Sequence, residues 1–211
     1  MPLDSAALPR AVALLRRRDR VLARVISEVG PCRFRAEAGQ GAFAALAESI
    51  VYQQITGRAA AAIWQRLHET LEVRRVRPEH IQAANEATLR RAGLSPQKVR
   101  YLRDLSQQAS NGLPLRSLSR LPDERVVEIL TRVKGVGRWT AEMFLIFRLG
   151  RPDVLPVHDY GIRKALKRAY RLRQLPKPEW IERMGERWRP YRTVACWYLW
   201  RSLDAAEGRK R

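Results

Sequence analysis

Val133-Lys134-Gly135-Val136-Gly137-Arg138-Trp139-Thr140-Ala141 is the stretch from which the rest of the chain is read, together with Leu155-Pro156-Val157-His158-Asp159-Tyr160 shortly after it. Ahead of it, Asp123 to Arg132 reads as a short amphipathic helix, with Val126, Val127, Ile129 and Leu130 interrupted by charges. Behind it, Thr140 to Leu149 reads as a second helix, with Ala141, Phe144, Leu145 and Leu149 on one side. Two helices joined by a Gly-x-Gly hairpin present backbone N–H groups at the N-terminus of the second. Those donors have no partner within the helix and the dipole there favours negative charge, so they suit a phosphate. The glycines permit a left-handed backbone and leave room for close approach.

The charge points the same way. Lys and Arg number 41 against 21 Asp and Glu, a net charge of +20 over 211 residues. Such an excess favours a polyanion, because neutralising phosphates releases condensed counterions. A membrane surface is the competing anion, but no strongly amphipathic terminal helix is there to lie in it. Apolar residues make up 45% of the chain, which excludes a disordered basic tail. No run is long and apolar enough to span a bilayer, and no signal-peptide pattern opens the chain, so an intracellular protein is expected. Cys32 and Cys196 are far apart, and His68, His80 and His158 lack ligand spacing. Neither a zinc or iron–sulfur site nor metal-dependent chemistry is expected.

Along the chain the periodicity is helical almost throughout. Helices are expected over Asp4 to Val29 (with Asp4 or Ser5 as cap), Ala42 to Tyr52, Ala59 to Leu71, a short one from Pro78, and Glu86 to Ala92. Ser95-Pro96 opens another to about Ala109, with Ser95 capping and proline at the first helical position. Asp159 to Tyr170, Glu179 to Trp188 and Tyr191 to Leu203 follow, and Glu207 to Arg211 reads as a frayed tail. No strand alternation or repeat is present. The fold class is all-α.

Lys134-Gly135-Val136-Gly137-Arg138-Trp139-Thr140-Ala141 with Leu155-Pro156-Val157-His158-Asp159-Tyr160 resembles the helix-hairpin-helix, Gly/Pro-Asp superfamily of DNA glycosylases. Within it, the chain looks most like the AlkA-like 3-methyladenine DNA glycosylase II branch. The resemblance extends from about Ala42 to Leu203, through Gln53-Gln54-Ile55-Thr56 and through Ala92-Gly93-Leu94-Ser95-Pro96-Gln97-Lys98-Val99-Arg100-Tyr101-Leu102, whose implied role is to pack the helical lobe that carries the hairpin. It implies two helical lobes around a DNA-binding cleft, one of residues 42–151 carrying the hairpin, the other built from 1–41 and 152–211. It also implies a minimal version, without the β-rich N-terminal domain of the AlkA enzymes.

Base excision needs the base out of the stack, a filled gap, a gripped strand and a pocket. Breaking the N-glycosidic bond develops positive charge on the sugar, which a nearby carboxylate stabilises while it orients or deprotonates water. Taken alone, Asp159 reads as a helix cap. In the motif it takes the catalytic position. The resemblance implies base-pocket roles for Trp139, Met143, Tyr160 and Trp200, though core is the other reading for Trp139 and Trp200. Trp188, Tyr191, Trp197 and Tyr198 read as core of the last helices. An electron-rich aromatic pocket selects a cationic alkylated purine by stacking and cation–π attraction, about 0.5–2 kcal/mol per contact. Gln54 is implied as gap-filler with Gln53, Ile55 and Thr56 beside it, although the two glutamines also read as a helix-junction cap.

Lys134, Gly135, Gly137, Arg138 and Thr140 are expected on the DNA backbone. Relatives that also nick the strand place a lysine where Trp139 stands, as the amine of a Schiff base. A monofunctional enzyme is therefore expected, excising 3-methyladenine and 7-methylguanine from double-stranded DNA. His158 replaces a residue often acidic in this branch, so no second carboxylate is assigned. No cofactor is required on this reading, while a monovalent cation, Na+ or K+, has a place on the hairpin carbonyls. Damaged double-stranded DNA is the expected partner, a monomer the expected state and a bacterial cytoplasm, at the nucleoid, the expected location. Two alternatives stay open: a glycosylase for deaminated, oxidised or alkylated pyrimidine bases, and a non-catalytic hairpin module that grips phosphates.

Overall fold

In the computed structural model, residues 3, 6–37, 39, 41–206 and 208 are described. Asp4, Ser5 and nearly all of the Glu207 to Arg211 tail, for which sequence expectations were stated, lie outside the described residues. The order is α1 (Ala7–Arg18), α2 (Arg20–Val29), α3 (Ala42–Tyr52), α4 (Gly57–Thr70), α5 (Pro78–Ala83), α6 (Glu86–Arg91) and α7 (Pro96–Ser110). Then come α8 (Asp123–Leu130), α9 (Arg138–Met143), α10 (Tyr160–Ala169), α11 (Pro178–Gly185) and α12 (Arg192–Ala206). Short 3-10 turns sit at Leu118–Arg120 and Glu186–Trp188. Among the described residues there is no strand, and the fold is all-α.

The chain forms two compact units: residues 1–37 with 145–211, and residues 38–144. The second crossing falls at 144/145, earlier than the 151/152 expected from sequence. The reason is the packing of residues 145–151, which belongs to the unit made from both chain ends. Glu37 N donates to Phe147 O across 2.8 Å, and the Phe147 ring packs on Phe34 and Trp200.

In that unit α12 is the central helix. Val194, Ala195, Cys196, Tyr198 and Leu199 are fully buried, and α12 packs on α2, α10 and α1. Each large apolar side chain so removed from water stabilises by about 1.5–3 kcal/mol. The expected single helix from Asp4 to Val29 is two helices. Asp19 breaks it, at φ −143° and ψ 105°, and caps α2 by accepting from the Val21 and Leu22 amides at 3.0 Å each. Its Oδ2 also accepts from Trp188 Nε1 at 2.9 Å and from the Tyr170 hydroxyl, so one carboxylate joins three distant segments. An isolated buried charge would not be tolerated; one with four donors is.

In the other unit α7 packs on α3, α5 and α6, and α8 on α9. Ser95 Oγ accepts from Lys98 N at 3.3 Å, with Pro96 the first helical residue. The second hairpin helix differs from expectation. It is α-helical only from Arg138 to Met143 and widens into a π turn at Phe144–Arg148. Phe144, Leu145 and Ile146 are consecutive and all buried, a run that a uniform α-helix cannot turn to one face.

Candidate active site

The carboxylate is placed by a chain of short-range causes. Arg192 Nε donates to Asp153 Oδ1 at 2.8 Å and its NH2 to the Asp153 carbonyl at 2.7 Å. Thr193 Oγ1 donates to Arg151 O at 2.6 Å and accepts from Val154 N at 3.1 Å. These bonds fasten residues 151–154 to the first turn of α12. Asp159 N then closes a turn on Pro156 O at 3.0 Å, and Asp159 becomes the N-cap of α10.

Asp159 is 8% exposed. Its Oδ1 accepts from the Ile162 amide at 2.7 Å and from Trp200 Nε1 at 2.9 Å. The cap reading and the carboxylate-site reading are thus compatible: the helix start orients the group that the site needs. Trp200 comes to Asp159 with its donor edge, and its ring packs on Phe147 at 5.7 Å between centroids. The sequence had offered it as a pocket wall or as core. Gly161 lies under this pair, since a Cβ there would stand 3.0 Å from Asp159 Oδ1 and 3.1 Å from Trp200 Cδ1.

Tyr160 is 67% exposed. It lines a groove of about 840 Å³ with Lys164, Lys167, Arg168 and Arg171, a groove whose lining includes neither Asp159 nor Trp200. His158 is exposed.

In the other unit, Trp139 and Met143 stand one helical turn apart on α9, Trp139 47% exposed and Met143 half-buried. Trp188, Trp197 and Tyr198 are buried as core, while Tyr191 is half-buried. Gly137 caps α9, so the leading amides of that helix have no acceptor within it. Gly135 takes φ +83°, and the Tyr101 ring fills the space a side chain would occupy. Lys134 is exposed, its amide donating to Asp104 Oδ2 at 2.8 Å and its ammonium 3.6 Å from Asp104 Oδ1.

Two expected backbone contacts are qualified by the geometry. Thr140 is 6% exposed, so its hydroxyl is withdrawn from solvent and only its amide belongs to the helix start. Arg138 donates to Glu124 at 3.1 and 2.6 Å and lies 3.5 Å from Glu142, so it bridges α8 and α9. Its hydrogen bonds to Glu124 raise its already high pKa and lower that of Glu124.

Gln53 Nε2 donates to Gly135 O at 2.8 Å, which turns its amide to the hairpin. Gln54 is exposed at φ 59°, a left-handed conformation seldom taken by a non-glycine residue. Ile55 is exposed, and Thr56 caps α4 by accepting from Ala59 N at 3.4 Å. Sequence reasoning missed Asp104 and Gly161, which act through partners or packing that spacing does not encode, and Glu142, although its i,i+4 spacing to Arg138 is local; Tyr101 does pack under the hairpin, as the resemblance implied for its stretch.

The oxygens that the hairpin turns to its own stabilisation are backbone carbonyls, Val133 O accepting from Val136 N and Gly135 O from Gln53. Backbone carbonyls are the oxygen type that takes Na+ or K+, and both of these already accept a hydrogen bond. Among the described residues no group of three or more His, Cys, Asp or Glu side chains lies together to hold a metal ion, and no helix is long and apolar enough to cross a membrane.

A family model described as HhH-GPD superfamily base excision DNA repair protein matches residues 47–190. DNA-3-methyladenine glycosylase 1 of Schizosaccharomyces pombe is 34% identical over 165 residues, covering 77% of this chain and 72% of that protein. A solved structure of S. pombe 3-methyladenine DNA glycosylase in complex with abasic DNA matches with a TM-score of 0.79 at 31% identity, over 90% of this chain and 95% of that one. A DNA-3-methyladenine glycosidase from Bacillus halodurans matches with a TM-score of 0.81 at 32% identity, over 98% and 94%.

Proposed function

Because the chain belongs to the HhH-GPD superfamily of base excision DNA repair proteins, we propose that it is a monofunctional DNA glycosylase that flips alkylated purines out of double-stranded DNA and hydrolyses them from the sugar. The observation that carries this reading is Asp159: a buried carboxylate on a helix N-terminus, doubly bonded through one oxygen. As the glycosidic bond of 3-methyladenine or 7-methylguanine lengthens, the alkylated base departs neutral and positive charge collects on the sugar. A fixed anion stabilises that charge without reorganising, and orients the water that attacks it. The substrate class rests on likeness to proteins named for 3-methyladenine.

In this reading the amides of Gly135, Gly137 and the first turn of α9 grip a phosphate, with Lys134 and Arg138 adding charge. Gln54 enters the gap left by the flipped base, with Ile55 and Thr56 beside it. Trp139, Met143, Tyr160 and Trp200 are each assigned by this reading to offer aromatic or polarisable surface to a damaged base. With Trp139 at the position where strand-nicking relatives carry lysine, the product is an intact abasic site. A monovalent cation on the hairpin carbonyls completes the grip; replacing K+ with tetramethylammonium is expected to weaken duplex binding. The enzyme acts as a monomer in the cytoplasm of a bacterial cell, at the nucleoid.

The test is release of free bases from methylated duplex DNA by wild type and Asp159→Asn. Release of 3-methyladenine by wild type with near-loss in the variant, at equal duplex affinity, is the expected result. Equal release by both would reduce Asp159 to a helix cap. No release by either, with tight binding to undamaged duplex, would favour the non-catalytic module.

A further inference from the structure

Gln53 and Gly135 are 82 positions apart, and their hydrogen bond ties the turn after α3 directly to the hairpin. The peptide that carries the Gly135 carbonyl is held at its other end as well, since Val136 N donates to Val133 O at 3.0 Å. Tyr101 packs beneath Gly135, where a Cβ would come within 2.2 Å of its ring, and Asp104 holds the preceding amide. The same helix supports the other segment. Lys98 Nζ donates to Val51 O, in the last turn of α3, across 2.6 Å. Lys98, Tyr101 and Asp104 recur every third residue, so one side of α7 underlies both segments. Gln54, next to Gln53, is kept exposed in a left-handed conformation that has a free-energy cost and persists only where its surroundings enforce it.

We propose that Gln53 is a positioning residue that couples the phosphate-gripping hairpin to the gap-filling turn, so that residue 54 enters the duplex in register with a phosphate held by the hairpin. The proposal rests on the base-flipping reading above. A hairpin that shifts on DNA pulls Gln53 with it, because the carboxamide is bound to the hairpin backbone and not to a mobile side chain. A cap that merely ended α3 would direct the Gln53 side chain to the α3 carbonyls; here it is directed to Gly135.

A duplex with a tetrahydrofuran abasic analogue beside 2-aminopurine reports gap filling as a rise in fluorescence, with no excision step. Saturating wild type is expected to raise the signal. Gln53→Met keeps the side-chain length and removes the donor. One lost hydrogen bond shifts the filling equilibrium by up to about tenfold, so the saturated amplitude is expected to fall by about threefold, with a linked loss of duplex affinity no larger than about threefold and Tm near wild type. Gln54→Ala should lower the amplitude, and adding Gln53→Met to it should lower it no further, as for two residues acting as one unit. Full amplitude in Gln53→Met, additive losses in the double variant, or a loss accompanied by a fall in Tm or by more than about a tenfold fall in affinity would each overturn the coupling. A wild type that binds tightly without any rise would overturn the base-flipping reading itself, and the coupling with it.

Discussion

Trp200 Nε1 and Asp159 Oδ1 are joined by a hydrogen bond of 2.9 Å, on the same oxygen that accepts from the Ile162 amide at 2.7 Å. Two donors arriving from different elements fix the plane of the carboxylate, where a simple helix cap would leave it to rotate. Trp200→Phe keeps the ring surface on Phe147 and removes only the donor. Hydrogen bonds to charged groups contribute about 1.5–3 kcal/mol, so base release in a single turnover is expected to fall about tenfold to a hundredfold at unchanged duplex affinity. Unchanged release by this variant, with Asp159→Asn inactive, would mean the indole supplies surface and no orientation.

Gly161 makes that pairing sterically feasible. In Gly161→Ala the new methyl would stand 3.0 Å from Asp159 Oδ1 and 3.2 Å from Trp200 Nε1, so the indole must retreat by a few tenths of an ångström. The expected outcome is a loss in release rate similar in kind to Trp200→Phe, with a stability cost of only about 1 kcal/mol, since small overpacking is relieved locally. Thermal unfolding beside single-turnover release checks both halves.

Which of these relationships could be read from the chain follows from their range. The Ser95-Pro96 helix start, the Gly-x-Gly hairpin and the Asp159 cap are written in a few adjacent residues, and each lies where sequence puts it. The Asp19 break was hidden because apolar spacing continues on both sides of it, and its other donors, Tyr170 and Trp188, lie over 150 positions away. The π turn at Phe144–Arg148 lies inside the span read as the second hairpin helix, because the spacing of Ala141, Phe144, Leu145 and Leu149 signals a helix without encoding a change of pitch. Trp200 was singled out as an aromatic, but its action on a carboxylate 41 positions away depends on how α10 packs on α12.

Gly135 is confined by Tyr101 as well as by its own backbone. Gly135→Ala would place a methyl 2.2 Å from the Tyr101 ring at φ +83°. Left-handed strain of about 1–2 kcal/mol adds to an overpacking cost of about 1–3 kcal/mol. Denaturant unfolding should register the sum. Adding Tyr101→Ala should recover the steric part and leave the conformational part, so full recovery would show that backbone strain at 135 is negligible.

Asp19 makes an acid-sensitive joint in the unit built from both chain ends. Burial acts to raise its pKa, but the Tyr170 hydroxyl, the Leu22 amide and Trp188, with the Arg187 charge nearby, hold it below the ordinary 3.8. A carboxylate with a depressed folded pKa contributes stability that is complete above the unfolded value and is lost as pH falls through the folded one. Wild type should therefore lose this contribution below about pH 4, whereas Asp19→Asn should begin about 1–2 kcal/mol less stable at pH 7 and lose less on acidification. Urea unfolding at pH 7 and pH 3 measures the difference, and parallel losses in both proteins would place the acid sensitivity elsewhere.

Lys134 and Arg138 flank the same glycines but should answer salt differently. Lys134 is exposed, and its ammonium is 3.6 Å from a single carboxylate; Arg138 is engaged by Glu124 through two hydrogen bonds and approaches Glu142. A cation already neutralised within the protein releases fewer counterions from DNA, because binding must first break or share its existing pair. Each phosphate neutralised contributes about 0.9 to the slope of log affinity against log salt. Lys134→Ala is expected to reduce that slope by close to this amount, and Arg138→Ala by clearly less. Glu124→Gln, which removes the closer of the two carboxylates on the guanidinium, should steepen the slope in wild type and have little effect once Arg138 is alanine. A full unit lost with Arg138→Ala would instead make Arg138 a primary phosphate ligand that leaves Glu124 on binding DNA.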